Sequence, residues 1–240
     1  MGALLRMSKQ EGDTQYYSTP REAAHDDTLR IERAAKLLDE LLFKKPEGSH
    51  LGDCPICCLP MPADPKQCAL MSCCSKCICR GCCHANEMRE AEGRLQQKCA
   101  FCRKVLPKTD EEINERLMKR VEANDPVAMC YIGTERCKKG DYKSAFAYWT
   151  KAAALGDVVA HYQLSCMYQF GHGVEKDEKK ALHHAEEAAI AGHPEARYYL
   201  GWIEEERGRS DRAAKHYIIA PNLDMIRHWN VSRICLKLAM

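Results

Sequence analysis

Cysteine is the residue type that offers this chain the most chemistry. Twelve of its 16 cysteines lie between positions 54 and 102. Three well-separated Cys-x-x-Cys pairs stand in that window: Cys54/Cys57, Cys79/Cys82 and Cys99/Cys102. Two thiolates three positions apart can hold one metal ion from a tight turn, and zinc is the usual ion in a reducing compartment. One pair alone would also suit redox chemistry, but three pairs without a βαβ pattern around them favour metal binding.

The compartment and the class of partner follow from composition. The N-terminus lacks the apolar run of roughly 7 to 15 residues that a secretory signal needs, so we expect reduced thiols in the cytoplasm or nucleus. The sequence contains no stretch of about 18 apolar residues, so we expect no membrane span. The chain has 36 basic and 34 acidic residues, a formal net charge of +2. We therefore expect neither a nucleic-acid nor a membrane partner.

The three pairs do not complete a whole number of tetrahedral sites. Six thiolates overfill one site and underfill two, so two further ligands are expected near the first and second pairs. The candidates follow in one short stretch: Cys73, Cys74, Cys77 and His84. Cysteines left over are expected to serve as small apolar fillers.

The segment from Asp53 to Pro107, called the cysteine-rich module below, resembles a RING finger. It opens with Cys-Pro-Ile-Cys, places fifteen residues between Cys57 and Cys73, and closes with Cys-Ala-Phe-Cys-Arg from Cys99. In RING fingers, ligand pairs one and three hold one zinc ion and pairs two and four hold a second. The resemblance implies a cross-braced module with two structural zinc ions and no open catalytic position.

The second ligand pair departs from the common RING pattern. Lys76 stands where that pattern has a histidine. Some eight-cysteine RINGs place the fourth ligand five residues before the fifth, which matches Cys74 ahead of Cys79 and makes Cys73 the nearest third ligand. Cys74 with Cys77 is the rival pair, and His84 a weaker substitute. The favoured ligand set is Cys54, Cys57, Cys73, Cys74, Cys79, Cys82, Cys99 and Cys102.

The resemblance also implies a function. RING ligases dock a ubiquitin-conjugating enzyme and hold its ubiquitin thioester in a reactive geometry, which is catalysis by orientation without a covalent nucleophile. By position, Ile56 and Leu95 correspond to apolar contacts with the conjugating enzyme, and Arg103 to the cation that promotes transfer. Ala100 replaces a common proline and the usual tryptophan is missing. The alternative is a non-catalytic scaffold for protein–protein interaction.

The segments on either side of the cysteine-rich module have helical patterns. Residues 1–18 show no periodicity and are expected to be disordered. Thr19 and Glu22 form a capping box that begins an amphipathic helix over 19–45, which either pairs with a second copy or packs on the chain's own domains. A second capping box begins a linker helix over 109–124, and we expect this helix to pack on the unit that follows it.

The chain from 125 to 224 repeats itself. Three units begin at Asp125, Asp157 and His193, with spacings of 32 and 36 residues. Small residues recur at matching positions of two successive helical patterns, as close packing of helices requires. The units resemble Sel1-like repeats, relatives of the tetratricopeptide repeat. The resemblance implies an α-solenoid of helix pairs that binds a client protein.

The third unit is incomplete. Pro221 predicts the end of its second helix, since proline inside a helix costs about 3 kcal/mol or more. Residues 225–240 fit no further repeat and are expected to be irregular. The chain as a whole is thus predicted to be mainly α: a small cross-brace zinc-binding RING module joined to a short α-solenoid of helix-pair repeats, with an N-terminal helix.

Overall fold

The computed structural model describes residues 20–46, 50–62, 64–93 and 96–220. Within these ranges the chain forms nine α-helices and one two-stranded sheet. The elements are α1 (Pro20–Leu42), β1 (Cys68–Met71), β2 (Lys76–Cys79), α2 (Arg80–Glu92), α3 (Asp110–Glu122), α4 (Pro126–Lys138), α5 (Tyr142–Ala154), α6 (Val158–Phe170), α7 (Glu178–Ile190), α8 (Pro194–Glu206) and α9 (Ser210–Ile219). Thr19 and the predicted segments 1–18 and 225–240 lie outside the described residues.

The cysteine-rich module is built around an antiparallel hairpin. In that hairpin Cys68 pairs with Cys79 and Met71 with Lys76, and α2 follows β2 directly. The buried apolar side chains of the module are few and include two of its cysteines: Cys54, Met61, Met71, Ile78 and Cys99. A core of this size buries little apolar area, so the module depends on something else for much of its stability.

Helix α3 joins the cysteine-rich module to the repeats. Thr109 caps its N-terminus by accepting a hydrogen bond from the Glu112 amide at 3.3 Å. Leu117 is fully buried in a cluster with Ala128 and Ile132 of α4, and Leu70 of β1 packs against the same cluster. The predicted packing of this helix on the first repeat unit is therefore confirmed, and the hairpin shares the contact.

Two arginines of α3 tie it to both neighbours. Arg116 Nη1 donates to the Val105 carbonyl at 2.5 Å. Arg120 Nε donates to Ser75 Oγ at 3.3 Å and to Asp125 Oδ2 at 2.9 Å. Burial on its own raises the pKa of Asp125, but the hydrogen bonds from Ser75 and Arg120 outweigh it and hold the pKa below its usual value. The module and the first repeat unit thus share polar as well as apolar contacts.

The repeats form three helix pairs: α4 with α5, α6 with α7, and α8 with α9. The first helices of two units start alike, because Asp125 and Asp157 each accept amide hydrogen bonds from the first turn. Glycine allows two close approaches: a Cβ at Gly133 would lie 2.8 Å from the Trp149 ring, and one at Gly201 would lie 2.7 Å from the Tyr217 ring. The close helix packing predicted from small residues at matching positions is therefore confirmed at Gly133 and Gly201.

Arg197 of α8 connects the second and third helix pairs to Leu42. It is buried and donates from Nη1 to the Leu42 carbonyl and from Nη2 to the Ala189 carbonyl at 2.6 Å. Leu42 itself is buried against the same two helix pairs. The last described helix, α9, stops at Ile219, before Pro221 as predicted. In α1, Ile31 and Leu37 are exposed, and both interpretations of that apolar face remain predictions.

A pH-dependent contribution to stability arises where α8 meets α9. Glu204 accepts from Arg209 Nη2 at 3.0 Å and from Arg212 Nε at 3.3 Å. Burial by itself raises the pKa of Glu204, but the hydrogen bond from Arg209 and the charges of Arg212, Arg209 and His216 outweigh it and hold the pKa below its usual value. A carboxylate with a lowered pKa stabilises the fold above its unfolded pKa, and this stability is lost as the pH falls through the folded pKa.

We therefore expect Glu204→Gln to destabilise the protein near pH 7 by about 1 kcal/mol, a small value because the arginines remain in contact with solvent. The difference between the variant and the wild type should start to shrink as the pH falls through the ordinary glutamate pKa of about 4, and should vanish below the lower pKa of the folded state. Urea unfolding at a series of pH values measures it. A difference that does not shrink as the pH falls below about 4 would show that the charge of Glu204 does not carry the effect.

Candidate metal centres

Two turns with the same backbone design position the first and last cysteine pairs. In the first turn the Cys54 amide donates to the Leu59 carbonyl at 2.7 Å, and the Cys58 amide donates to the Cys54 carbonyl at 2.8 Å. In the second turn the corresponding bonds are Cys99 to Lys104 at 2.7 Å and Arg103 to Cys99 at 3.1 Å. Each turn encloses its pair of sulfur atoms. We call the two turns, residues 54–59 and 99–104, the first and second knuckles.

The match between the knuckles extends to their ends. Isolated antiparallel bridges close them between Asp53 and Pro60 and between Lys98 and Val105, at equal offsets from the first cysteine of each pair. The residue after each second cysteine has a left-handed backbone, with φ of 55° at Cys58 and 59° at Arg103. Left-handed backbone at non-glycine residues costs energy, so its recurrence at both sites indicates a functional constraint on the turn.

The hairpin positions the other two pairs. Cys73 and Cys74 lie in the turn between the strands, where the Cys74 and Ser75 amides both donate to the Met71 carbonyl. Cys79 ends β2 and caps α2, because its Sγ accepts from the Cys82 amide at 3.4 Å. The strand-to-helix junction therefore aims both members of the third pair to the same side.

The eight side chains meet in two interleaved sets of four. Within each set all four Sγ atoms lie within 4.8 Å of one another. The first set is Cys54, Cys57, Cys79 and Cys82, and the second is Cys73, Cys74, Cys99 and Cys102. The knuckles thus contribute to different sets, and the hairpin completes each of them.

The distances in both sets suit a tetrahedral metal site. The Sγ atoms of Cys57 and Cys79 are 3.8 Å apart, as are those of Cys74 and Cys99. Four sulfurs at about 2.3 Å from a zinc ion would be separated by about 3.8 Å. Cys73 and Cys102 are closer, at 3.2 Å. Each set could hold a metal ion, and four sulfur ligands are typical of structural zinc.

Backbone amides favour the thiolate in each set. Burial on its own raises the pKa of Cys54, but amides of Cys79, Cys57 and Ile56 outweigh it and bring the pKa to about 6. Burial also raises the pKa of Cys102, and the Lys104 amide with the neighbouring sulfurs brings it to about 7. The hydrogen bond with Cys79 raises the pKa of Cys82 to about 12. Sulfurs this close compete for the negative charge, and a cation between them removes that competition.

The remaining candidates lie outside both sets. Cys77 in β2 belongs to neither set, and burial raises its pKa to about 11. Cys68 Sγ lies 3.5 Å from the Pro62 carbonyl, and Cys83 Sγ lies 3.3 Å from Glu87 Oε1. His84 stands 3.9 Å from a carboxylate oxygen of Glu87. Of the alternatives for the second pair, the structure brings Cys73 and Cys74 into the cluster.

The residues predicted to contact a partner differ in their surroundings. Ile56 is 44% exposed, so it is not a core residue. Arg103 is half-exposed and lies 3.5 Å from Glu90, a buried acid that sequence reasoning missed. Leu95 lies outside the described residues. Phe101, between the cysteines of the second knuckle, is also exposed; its place between two ligands, matching that of Ile56, was the available signal.

Comparison with known proteins finds relatives that match part of the chain. Over 79 residues the chain is 35% identical to DAP3-binding cell death enhancer 1 of Rattus norvegicus. This alignment covers 33% of this chain and 15% of that protein. The protein of the same name from Mus musculus is 34% identical over 98 residues, 41% of this chain and 18% of the relative. An uncharacterized protein of Neisseria meningitidis serogroup B is 43% identical over 86 residues, 35% and 18% of the two chains. The chain spans less than a fifth of each relative's length.

Two solved structures also match. A Sel1 repeat protein from Oxalobacter formigenes aligns with a TM-score of 0.43 at 29% identity, over 48% of this chain and 50% of that one. A protective antigen of uropathogenic Escherichia coli aligns with a TM-score of 0.40 at 26% identity, over 45% and 25% of the two chains. In the part of the chain that the structure describes, no helix has the length and apolar character to cross a membrane.

A family model identifies the repeats. The Sel1 repeat model matches residues 127–157 and 158–193. These ranges correspond to the first two helix pairs, and the prediction of Sel1-like repeats from the sequence is confirmed there. Repeats of this kind generally mediate protein–protein interaction. The chain therefore combines Sel1 repeats with two cysteine clusters that could each hold a metal ion.

Proposed function

We propose that the chain is a RING-type ubiquitin ligase whose two cysteine sets each bind a structural zinc ion. The cysteine-rich module presents a ubiquitin-conjugating enzyme, and the Sel1 repeats bind the client protein. Four sulfur ligands at each site leave no position for substrate, so the metal supplies folding energy and no chemical step. Reduced thiols, and hence the cytoplasm or nucleus, are part of this proposal.

The order in which the pairs meet is the observation that carries the proposal. The first pair meets the third, and the second meets the fourth. Two sites filled pair by pair along the chain would be independent, whereas interleaved pairs make the two sites share one set of loops. This interleaving is the ligand order of RING fingers. It ties both knuckles to one hairpin and so holds their exposed tips on a single rigid frame.

The knuckle tips supply apolar contacts for a conjugating enzyme. Ile56 is 44% exposed, and Phe101 occupies the corresponding place in the second knuckle at 39%. Leu59, whose carbonyl accepts from the Cys54 amide in the first knuckle, is 64% exposed. Apolar side chains held outward by a turn that cannot relax lose little entropy on binding. We assign the docking of the conjugating enzyme to these tips.

Arg103 is the residue proposed to promote transfer. It directly follows Cys102 and has a left-handed backbone, and its side chain is 51% exposed. A guanidinium has five donors in a fixed plane, so it can bridge the conjugating enzyme and ubiquitin at once. Holding the two in one orientation raises the rate of aminolysis without any covalent intermediate on this chain.

The Sel1 repeats are proposed to choose the client. The rat and mouse relatives are named as DAP3-binding proteins, which is consistent with a protein ligand for an array of this kind. Because α3 packs on both the hairpin and the first helix pair, a client on the repeats would stand at a defined distance from the cysteine-rich module.

We expect Arg103→Ala to slow ubiquitin discharge from a charged conjugating enzyme by about tenfold to a hundredfold, because orientation contributes effects of this size. Ile56→Ala should weaken binding of the conjugating enzyme. Lys104→Ala, the exposed neighbour of Arg103, is the matched control and should retain the wild-type rate. The assay is single-turnover discharge to free lysine with a panel of conjugating enzymes.

Absence of discharge with every conjugating enzyme of the panel would overturn the ligase proposal. The alternative function, a non-catalytic scaffold, would then stand, because the repeats and the cysteine clusters do not depend on ligase activity. Equal rates for Arg103→Ala and the wild type would remove Arg103 from the mechanism while leaving docking through the knuckle tips in place.

A further inference from the structure

Glu90 in α2 is the one buried charged side chain among the described residues of the cysteine-rich module, with 1% of its surface exposed. Burying a carboxylate is costly unless hydrogen bonds and an opposite charge compensate it. The surroundings of its two oxygens show what compensates the charge.

One oxygen of Glu90 is used by the second knuckle. Oε2 accepts from the Lys98 amide at 2.8 Å and from Asn86 Nδ2 at 3.3 Å. Asn86 Nδ2 also donates to the Lys98 carbonyl at 3.0 Å. Lys98 directly precedes Cys99 and forms the bridge that closes the knuckle. Glu90 and Asn86 together therefore hold the second knuckle against α2.

The other oxygen of Glu90 faces Arg103. Oε1 accepts no hydrogen bond within the described residues and lies 3.5 Å from Arg103 Nη2. Among the described residues, the charged group that Oε1 faces is thus the Arg103 guanidinium. Arg103 engages it with an outer nitrogen of the guanidinium, while its side chain stays half-exposed. Donors remain available to a partner, since the group carries five.

We propose that Glu90 is a positioning residue that holds the Arg103 guanidinium in the orientation required for ubiquitin transfer. This inference rests on the proposed ligase function and adds a residue to it. The carboxylate is rigid because Oε2 is bonded to the knuckle backbone, so its Oε1 offers Arg103 a fixed anchor. An arginine that is already aligned needs less reorientation to reach the geometry in which ubiquitin is transferred, so the gain is expected in the rate of transfer.

Glu90→Gln separates the two tasks of the side chain. The glutamine oxygen can still accept from the Lys98 amide, but its NH₂ group then faces Arg103, where a donor meets a donor. We expect the knuckle to stay closed and Arg103 to be released. The discharge rate should fall about fivefold, the population change that a half-exposed ion pair supports. The dissociation constant for the conjugating enzyme should change by less than about twofold.

The controls test whether Glu90 acts through Arg103. Glu92→Gln, the same change at an exposed position of α2, should leave the rate unchanged. In an Arg103→Ala background, Glu90→Gln should have no further effect on the rate. A full fivefold loss in that background would overturn the inference, as would a wild-type rate for Glu90→Gln alone. A wild-type chain that discharges no ubiquitin overturns the ligase proposal itself, and this inference with it.

A second measurement on the unaltered protein covers the case in which Glu90→Gln does not fold. In nitrogen-15 NMR spectra of the zinc-loaded protein, rotation about the Arg103 guanidinium bonds should be slower than in Arg80, an exposed arginine at the start of α2. Equally fast rotation in the two residues would show that Glu90 does not hold Arg103.

Discussion

Serine in place of Cys99 is expected to destroy one of the two proposed zinc sites and thereby to unfold the cysteine-rich module that both sites share. Cys99 is fully buried, its Sγ lies 3.8 Å from that of Cys74, and it accepts from the Phe101 amide at 3.4 Å. A serine hydroxyl does not replace a thiolate on zinc, because it stays protonated at neutral pH. The change therefore removes a ligand and part of the small core together.

The size of the effect follows from the role of metal in small folds. Binding of structural zinc contributes about 10–16 kcal/mol in zinc-finger peptides, and whole domains are stable by only about 5–15 kcal/mol. The interleaved sets make the loss cooperative, because the hairpin serves both. We expect amide hydrogen exchange in β1, β2 and α2 to reach the unprotected rate, while α6 to α8 keep their protection.

Cys77→Ser is the matched control for that variant. Cys77 lies in the same hairpin but in neither sulfur set, and it is half-buried. This variant should keep two zinc ions and lose only about 1 kcal/mol of stability, an average value for a single substitution. Loss of a zinc ion from Cys77→Ser, or full retention by Cys99→Ser, would contradict the proposed ligand sets.

Trp149→Ala should produce the largest loss of stability in the repeats. Trp149 is 2% exposed, and its Nε1 donates to the Cys130 carbonyl at 3.2 Å. Its ring fills the space that Gly133 leaves open between the two helices of the first pair. Truncation leaves a cavity and removes this hydrogen bond, although Thr134 Oγ1 still donates to the Cys130 carbonyl at 3.0 Å. Truncating a buried tryptophan to alanine costs about 3–5 kcal/mol.

Urea unfolding followed by circular dichroism measures this loss. Leu155→Ala is the control, since Leu155 is 51% exposed just after α5, and it should cost no more than about 0.5 kcal/mol. A loss below about 1 kcal/mol for Trp149→Ala would show that the first helix pair does not depend on the contact between Trp149 and Gly133.

Patterns close together in the sequence predicted much of this fold. The capping box at Thr109 and the stop before Pro221 depend on local rules for helices, and the structure has a helix beginning or ending at each of the two places. The grouping of the eight cysteines followed from their spacing together with the RING resemblance. The two interleaved sets have the same membership in the structure.

Contacts between distant segments could not be predicted in the same way. Arg120 meets Ser75 across 45 positions, and Arg197 meets the Leu42 carbonyl across 155. Neither residue belongs to a motif, and each looks like an ordinary surface arginine in the sequence. Glu90 was missed for the same reason: its burial depends on how α2 packs against the second knuckle, which no local pattern encodes.

Native mass spectrometry of the full chain, purified under reducing conditions, tests the central claim most directly. Two interleaved sets of four thiolates should bind two zinc ions per chain, and the count should remain two in Cys77→Ser and fall in Cys99→Ser. A wild-type stoichiometry of two supports the account. A stoichiometry of zero, one or three zinc ions per chain would contradict it.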